Sequence, residues 1–529
     1  MAHWNALNGI DLAVILFYLG IVLVAGLRSL DRNTTAKQHF LASSSARWPR
    51  IGFSLYASTL GATSLVGITG TAYAHGISVF AYEWMAALVL PIFCTFILPT
   101  YLTSRVFTVP EFLELRYGRF IRTYVSNFSV CLELFLGGGG GLFAGSVLFQ
   151  TLVPGWPLWV ISAILAILSG IFLLLGGLRA VILVEAVQGV VVVTVCAALA
   201  WFTFHAAGGF GLIWAHMDPS KLKLIMPASD PAIPWTGLIT GVPLIGFYYW
   251  CTNQTMVQRV LSARSLDDGR WGSLLGGALK LTTLFLVVLP GAAAVLIFPH
   301  LSSPDQVFSQ IVFRILPHGL VGVVIAVCLV SILSSLASFY NAASTLVTMD
   351  MIRRLQRRLD DRQLIRISRL VVVALMAATV VIAQQIGHFH NTLWQYLQSV
   401  MCYFVPPVAA VFLAGFVWTG ANTTGAIYGL FAGLAASFAG FCGIEVWHVI
   451  PLHFQIAAVV IFLITLAAIV IGSRFGQPEP IERITPLMFT PDVWRAETQR
   501  LKGVPAYRNY RILSCALIVL TLTIVFIFR

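Results

Sequence analysis

The sequence predicts an all-α integral membrane protein with about fourteen transmembrane helices. Three observations predict it. Hydrophobic residues fill 58% of the 529 positions and charged residues only 10%, with a mean hydropathy of +0.89, which excludes a water-soluble globular chain. Apolar stretches recur at lengths that match the ~20 residues a helix needs to cross a bilayer. Basic residues gather between alternate stretches, as they do in loops that face the cytoplasm.

In chain order, spans are expected at 10–27, 51–71, 78–103, 122–152, 157–176, 180–207, 235–257, 271–299, 314–350, 368–387, 393–418, 424–443, 450–473 and 510–528. The first has neither a basic leading region nor a small-residue cleavage site, so it is expected to be a retained helix, not a signal peptide. Arg28, Arg32, Lys37, Arg47 and Arg50 follow it; Arg105, Arg116, Arg119 and Arg122 follow the third; Arg259, Arg264 and Arg270 follow the seventh. Seven arginines lie between 353 and 369, and seven basic residues between 474 and 511. With fourteen spans all of these fall on one side, which puts the basic loops in the cytoplasm and both termini outside, in a plasma membrane. The net charge of +12 is mostly this asymmetry, with attraction to anionic membrane lipid added. Scattered over short loops, these residues do not form a nucleic-acid-binding module. Nothing points to an obligate protein partner. The stretch 208–233 reads as an outer loop with a short helix, and 474–509 as a cytoplasmic loop.

All eight cysteines lie in or beside apolar spans with no Cys-x-x-Cys pair, so they read as small buried hydrophobes. His388-Phe389-His390, without acid or thiol company, reads as structural. Gly137 to Gly141 lacks the Lys-Ser/Thr ending of a phosphate loop, and is expected to let neighbouring helices approach or to break the helix.

Chemistry concentrates in three places. Ser331, Ser334, Ser335 and Ser338 fall at i, i+3, i+4 and i+7 within an apolar span, so their hydroxyls share one helix face. Close packing or bonding back to the preceding turn is the bland explanation; a hard monovalent cation is the functional one. The stretch from Ser54 to Ser64 sets five hydroxyl residues and Gly61 in one span, which predicts a discontinuous helix near Ala57–Gly61. A second interruption is expected over Gly246–Gln254. Paired interruptions of this kind mark transporter binding sites, where freed carbonyls coordinate sodium. Third, Glu83, Lys280 and Glu185 are charges inside spans, and each needs a partner or a cavity. Glu83 and Lys280 either pair structurally or, with Gln398, offer donors and acceptors to a polar solute. An intramembrane enzyme is excluded, since the serine stripe has no histidine or lysine at a compatible spacing.

The chain resembles the sodium:solute symporter family, and within it the sodium/sugar cotransporters. The resemblance runs over roughly 10–475. It rests on Tyr82-Glu83-Trp84-Met85, Thr108–Phe112, Tyr249-Trp250-Cys251-Thr252-Asn253-Gln254 with Gln258-Arg259, and Asn341–Asp350. It implies a single transporter domain over 1–529 with a LeuT-like fold of two inverted five-helix repeats. The repeats would be 51–207 and 235–418, with an extra helix at 10–27 before them and C-terminal helices over 424–528. Its activity would be sodium-coupled symport of a small polar solute, a sugar or polyol; the alternative is a carboxylated solute such as sialic acid, an amino acid or a vitamin. By the same resemblance sodium would meet the carbonyls of Ala57, Leu60 and Ser331 and the hydroxyls of Ser334 and Ser335. Glu83, Lys280 and Gln398 would contact the solute, Tyr249 would close its inner side, and Ser64 would stand at a further contact. Ser64, Ala86 and Gly246 depart from the glutamine, serine and asparagine of sugar carriers. A second sodium site would use Glu185 and Ser338; because Ala337 replaces one hydroxyl there, one sodium per cycle is expected.

Overall fold

The computed structural model describes residues 7–28, 46–104, 106, 108–153, 155–347, 361–389 and 392–529. These residues are helical apart from connecting loops and two isolated bridges. Helix α1 (Gly9–Arg28) is docked by a carboxylate. Asp11 Oδ1 accepts the backbone N–H groups of Gly319 (2.6 Å) and Gly322 (3.1 Å), and Oδ2 lies 2.7 Å from His318 Nδ1. A negative group on these orphan N–H groups is favourable where a helix begins.

The first interrupted span is broken where expected. Helix α2 (Trp48–Thr59) ends before Leu60 and Gly61, and α3 (Ala62–His75) begins after them. Helix α4 (Ala81–Ile92) continues through a widened turn at Phe93–Ile97 to Thr103. Helix α5 (Arg119–Glu133) passes through a second widened turn, Leu134–Gly140, into α6 (Gly141–Gln150). That turn contains most of the glycine run, and a side chain there would collide with neighbours. A Cβ on Gly138 would lie 2.5 Å from Thr379 Cγ2, and one on Gly139 would lie 2.3 Å from Ile382 Cγ2. Close helix approach is therefore what the run provides.

One expectation fails. Two spans are expected at 157–176 and 180–207, but the backbone is one continuous helix of 49 residues, α7 (Leu158–Ala206). The segment has no proline, and the pair Gly176-Gly177 costs only about 1 kcal/mol per residue, too little to force a break.

The second interrupted span also appears. Helix α8 (Gly241–Phe247) passes through the widened turn Tyr248–Thr252, stops at the extended Asn253, and restarts as α9 (Gln254–Leu261). Helix α10 (Leu266–Thr283) lies against α2 with little between them: a Cβ on Gly272 would sit 2.6 Å from Ile51 Cβ. After α11 (Leu289–Ile297) and the short helix α12 (Val307–Ile315) comes α13 (Leu320–Leu346), which carries the serine stripe. Helix α14 (Asp361–Phe389) leads to α15 (Leu393–Phe404) and α16 (Pro406–Val417), which meet at a 50° bend around Val405. Helices α17 (Thr423–Phe441), α18 (Phe454–Ser473) and α20 (Tyr510–Ile527) complete the spans, with the short α19 (Pro491–Arg500) in the polar loop before α20. Glu497 of α19 receives Arg270 Nη1 at 2.7 Å, and the Arg270 guanidinium stacks 4.0 Å from the Tyr510 ring centroid.

Candidate ion and solute site

The first break is made by side chains that compete with the helix. Ser58 Oγ donates to the Leu55 carbonyl (3.0 Å) and Thr59 Oγ1 to the Tyr56 carbonyl (2.7 Å), local bonds that loosen the backbone ladder. Leu60 N–H turns back to the Ala57 carbonyl (3.2 Å), and the ladder resumes where Leu65 N–H donates to the Gly61 carbonyl (3.0 Å). Gly61 is extended (φ −76°, ψ 177°) and carries no capping side chain.

The serine stripe comes to this break. A Cβ on Gly61 would lie 3.1 Å from Ser331 Oγ, so α13 and the break are in direct contact. Ser334 is 1% exposed, and its hydroxyl donates to the Ser331 carbonyl at 3.2 Å. That bond leaves the lone pairs of the Ser334 oxygen able to meet a cation. Ser335 is exposed and Ser331 half-buried. Ala57 is half-buried and Leu60 buried. The side chains of Glu185 and Ser338, which carry the expected second site, lie outside those described, as does His390.

On the solute side, Glu83 of α4 and Lys280 of α10 form a buried ion pair between Oε2 and Nζ, 4% and 2% exposed. Each charge thereby has the partner that membrane depth demands. Gln398 is buried one turn beyond Trp394 on α15, and its Oε1 has no hydrogen-bond partner; neither has Nε1 of Trp394 or of Trp84. The Trp394 ring stands edge-on to Tyr82, centroids 6.4 Å apart, and a Cβ on Gly67 would meet Trp394 at 3.3 Å. Tyr249 is half-buried on the widened turn, its ring 5.2 Å from that of Trp250. Gly246 is filled from across the interface, since a Cβ there would lie 2.6 Å from Met85 Cγ. Ser64 is half-buried in the first turn of α3.

The structure thus brings together α3, α4, α8, α10 and α15 around the residues singled out in the sequence. It adds Gln455 of α18, whose Nε2 donates to Tyr82 Oη at 2.5 Å while its Oε1 lacks a partner. It also adds Tyr56, whose hydroxyl is 3.1 Å from Thr282 Oγ1 and so links α2 to α10. Gln455 lies near the start of an apolar helix, and only its amide in that setting could have flagged it. Unpartnered buried donors and acceptors cost about 1–3 kcal/mol each, and a polar solute that satisfies them recovers that energy.

The model of the sodium:solute symporter family matches residues 39–433. The sodium/mannose cotransporter SLC5A10 of Bos taurus is 33% identical over 90% of this chain and 88% of its own length. Sodium/glucose cotransporter 1 of Oryctolagus cuniculus is 30% identical over 89% of this chain and 80% of its own. A solved structure of a Na+-coupled sialic acid symporter, substrate-bound and outward-open, matches with a TM-score of 0.71 at 18% identity, covering 89% of this chain and 99% of that one. At that identity the likeness speaks for the fold alone.

Proposed function

This chain belongs to the sodium:solute symporter family, and from that premise we propose that it imports a small polar solute, a sugar or polyol, by alternating access coupled to sodium. It is a transporter of the membrane, not an enzyme, and sodium is its coupling ion. In this reading the two inverted repeats expected over 51–207 and 235–418 rock against each other in a plasma membrane.

The contact between Gly61 and Ser331 carries the ion assignment. It sets the interrupted backbone of α2 and α3 beside the hydroxyls of α13, so Ala57, Leu60 and Ser331 supply carbonyls while Ser334 and Ser335 supply hydroxyls. Sodium bound there holds the broken span to α13, and the exposed Ser335 gives the ion a route to water. Glu83, Lys280, Gln398 and Trp394 offer the solute both donors and acceptors. Because Glu83 already answers the ammonium of Lys280, a carboxylated solute finds no free cation, which favours an uncharged polyhydroxylated one.

One sodium suffices energetically. A single charge moving through ~100 mV releases about 2.3 kcal/mol, and a roughly tenfold sodium gradient adds about 1.4 kcal/mol. Together these support solute accumulation on the order of 500-fold at one-to-one coupling. The test is uptake of labelled D-mannose, D-glucose and sialic acid into proteoliposomes with and without an inward sodium gradient. Sodium-dependent uptake of a neutral sugar is expected. Uptake that ignores sodium overturns the mechanism, and uptake of sialic acid alone overturns the solute class.

A further inference from the structure

A buried carboxyl that is not among the ion and solute residues lies in the loop between α11 and α12, bonded to the residue that precedes Trp394. Asp305 is 2% exposed in the short turn Pro304–Gln306. Its Oδ2 accepts the backbone N–H of Leu393 at the start of α15 (2.8 Å), and its Oδ1 has no hydrogen-bond partner. The turn is pressed onto α3, where a Cβ on Gly70 would lie 2.6 Å from Asp305 Oδ1 and 3.1 Å from the Pro304 carbonyl. Around it runs a polar seam: Thr71 Oγ1 donates to Thr392 Oγ1 (2.8 Å), Thr392 Oγ1 contacts Gln395 Oε1 (3.3 Å), and Gln395 Nε2 lies 3.3 Å from His75 Nε2. Three separate elements, α3, the Pro304–Gln306 turn and α15, are thereby closed on one another at the end of the bundle read as outer.

We propose that Asp305 is a proton-binding site of the outer seam, protonated while α3, the turn and α15 are closed and ionised when they part to admit water. The inference rests on the alternating-access reading. A carboxylate sealed in the seam would keep one oxygen without a donor and no described cation beside it, whereas the protonated acid removes the charge. The proton comes from outer water on closure and returns there on opening. Other titratable groups on the elements packed here are Tyr73 and His75 of α3, Arg314 of α12, and Tyr396, Cys402 and Tyr403 of α15; α6 has none. Lys221 donates to the Tyr73 carbonyl (3.0 Å), and Arg314 lies over the Phe298 ring. Asp230 faces His75.

Burial pushes the Asp305 carboxyl up from an ordinary 3.8 to about 7. Since the closed seam holds the raised value, its advantage is complete at acid pH and is lost as pH rises through about 7. Between pH 6 and 8 the open seam should gain about tenfold in weight over the closed one.

The test labels Thr71→Cys with a membrane-impermeant thiol reagent in proteoliposomes at fixed sodium, with labelling mapped to that position and rates corrected for thiolate fraction. The expected result is a roughly tenfold rise in rate from pH 6 to pH 8, abolished by adding Asp305→Asn, which is neutral at every pH. A flat profile in Thr71→Cys alone overturns the proposal even if the double variant fails to fold, as does an unchanged profile in the double variant. Labelling that responds to sodium but not to pH leaves alternating access standing and sinks the proton site. Labelling that responds to neither sinks both.

Discussion

The two interrupted spans differ in what they do with the backbone groups they free. At the second break, Asn253 Oδ1 accepts the N–H groups of Thr255 (3.0 Å) and Met256 (3.4 Å), while Asn253 N–H closes onto the Tyr248 carbonyl (2.8 Å). Tyr101 Oη donates to the Cys251 carbonyl (3.1 Å), and Thr252 Oγ1 to that of Tyr248 (2.8 Å). This break is satisfied by its own residues and by Tyr101. At the first, α3 starts at Gly61 with no capping side chain, and the nearest polar side chain from another span is Ser331. A broken helix becomes a ligand site where its polar groups stay unclaimed, and a pivot where they are tied off. The proposed function therefore assigns sodium to the first break and gating motion to the second.

The Glu83–Lys280 pair bears on both, because it joins α4, which follows the first break, to α10, which follows the second. Breaking it should have the largest effect. Lys280→Ala leaves a buried carboxylate unpaired and should lower stability by about 3–5 kcal/mol. Thermal unfolding in detergent would register this, and the double change Glu83→Gln with Lys280→Met should regain most of the loss without regaining uptake. Full recovery of uptake in the double variant would show that the pair clasps the helices and has no part in solute binding.

A smaller but more selective effect is expected at the first break. Ser334→Ala removes a hydroxyl whose only described bond runs to its own helix, so the unfolding temperature should hardly move. Sodium activation of uptake should nevertheless weaken about tenfold, equivalent to about 1.4 kcal/mol. An unchanged sodium dependence would remove Ser334 from the ion site and, with it, the contrast between the breaks.

The parts of this arrangement that depend on spacing along one helix were legible in the sequence. The serine stripe follows from helical periodicity, and both breaks follow from glycine and hydroxyl residues that compete with the ladder. What depends on contact between distant segments was not legible. A Glu83–Lys280 pair was one of two readings that the sequence left open, and the contact that makes it comes from the fold. Gln455 reaches Tyr82 from a helix outside the expected repeats, and the partners of the glycine run, Thr379 and Ile382, come from α14. The continuous helix Leu158–Ala206 was not legible for a different reason: composition sets how many residues can span a bilayer, but it does not end a helix that lacks a proline or a cap. Asp305 gives no signal in the sequence because a loop aspartate ordinarily faces water; its burial comes from Gly70 and Leu393, which are distant in sequence.

The smallest predicted effect is the sharpest test of the comparison, because it should be the mirror image of that at Ser334. Asn253 serves as the cap of α9, and Asn253→Ala leaves the N–H groups of Thr255 and Met256 without their acceptor at a buried position. Loss of such a cap costs about 1 kcal/mol. If the second break is a pivot and holds no ligand, Asn253→Ala should lower the unfolding temperature and slow turnover while leaving the sodium concentration for half-maximal uptake unchanged. A sodium affinity that falls with Asn253→Ala as far as with Ser334→Ala would mean that both breaks touch the ion, and the division of labour between them would have to be abandoned.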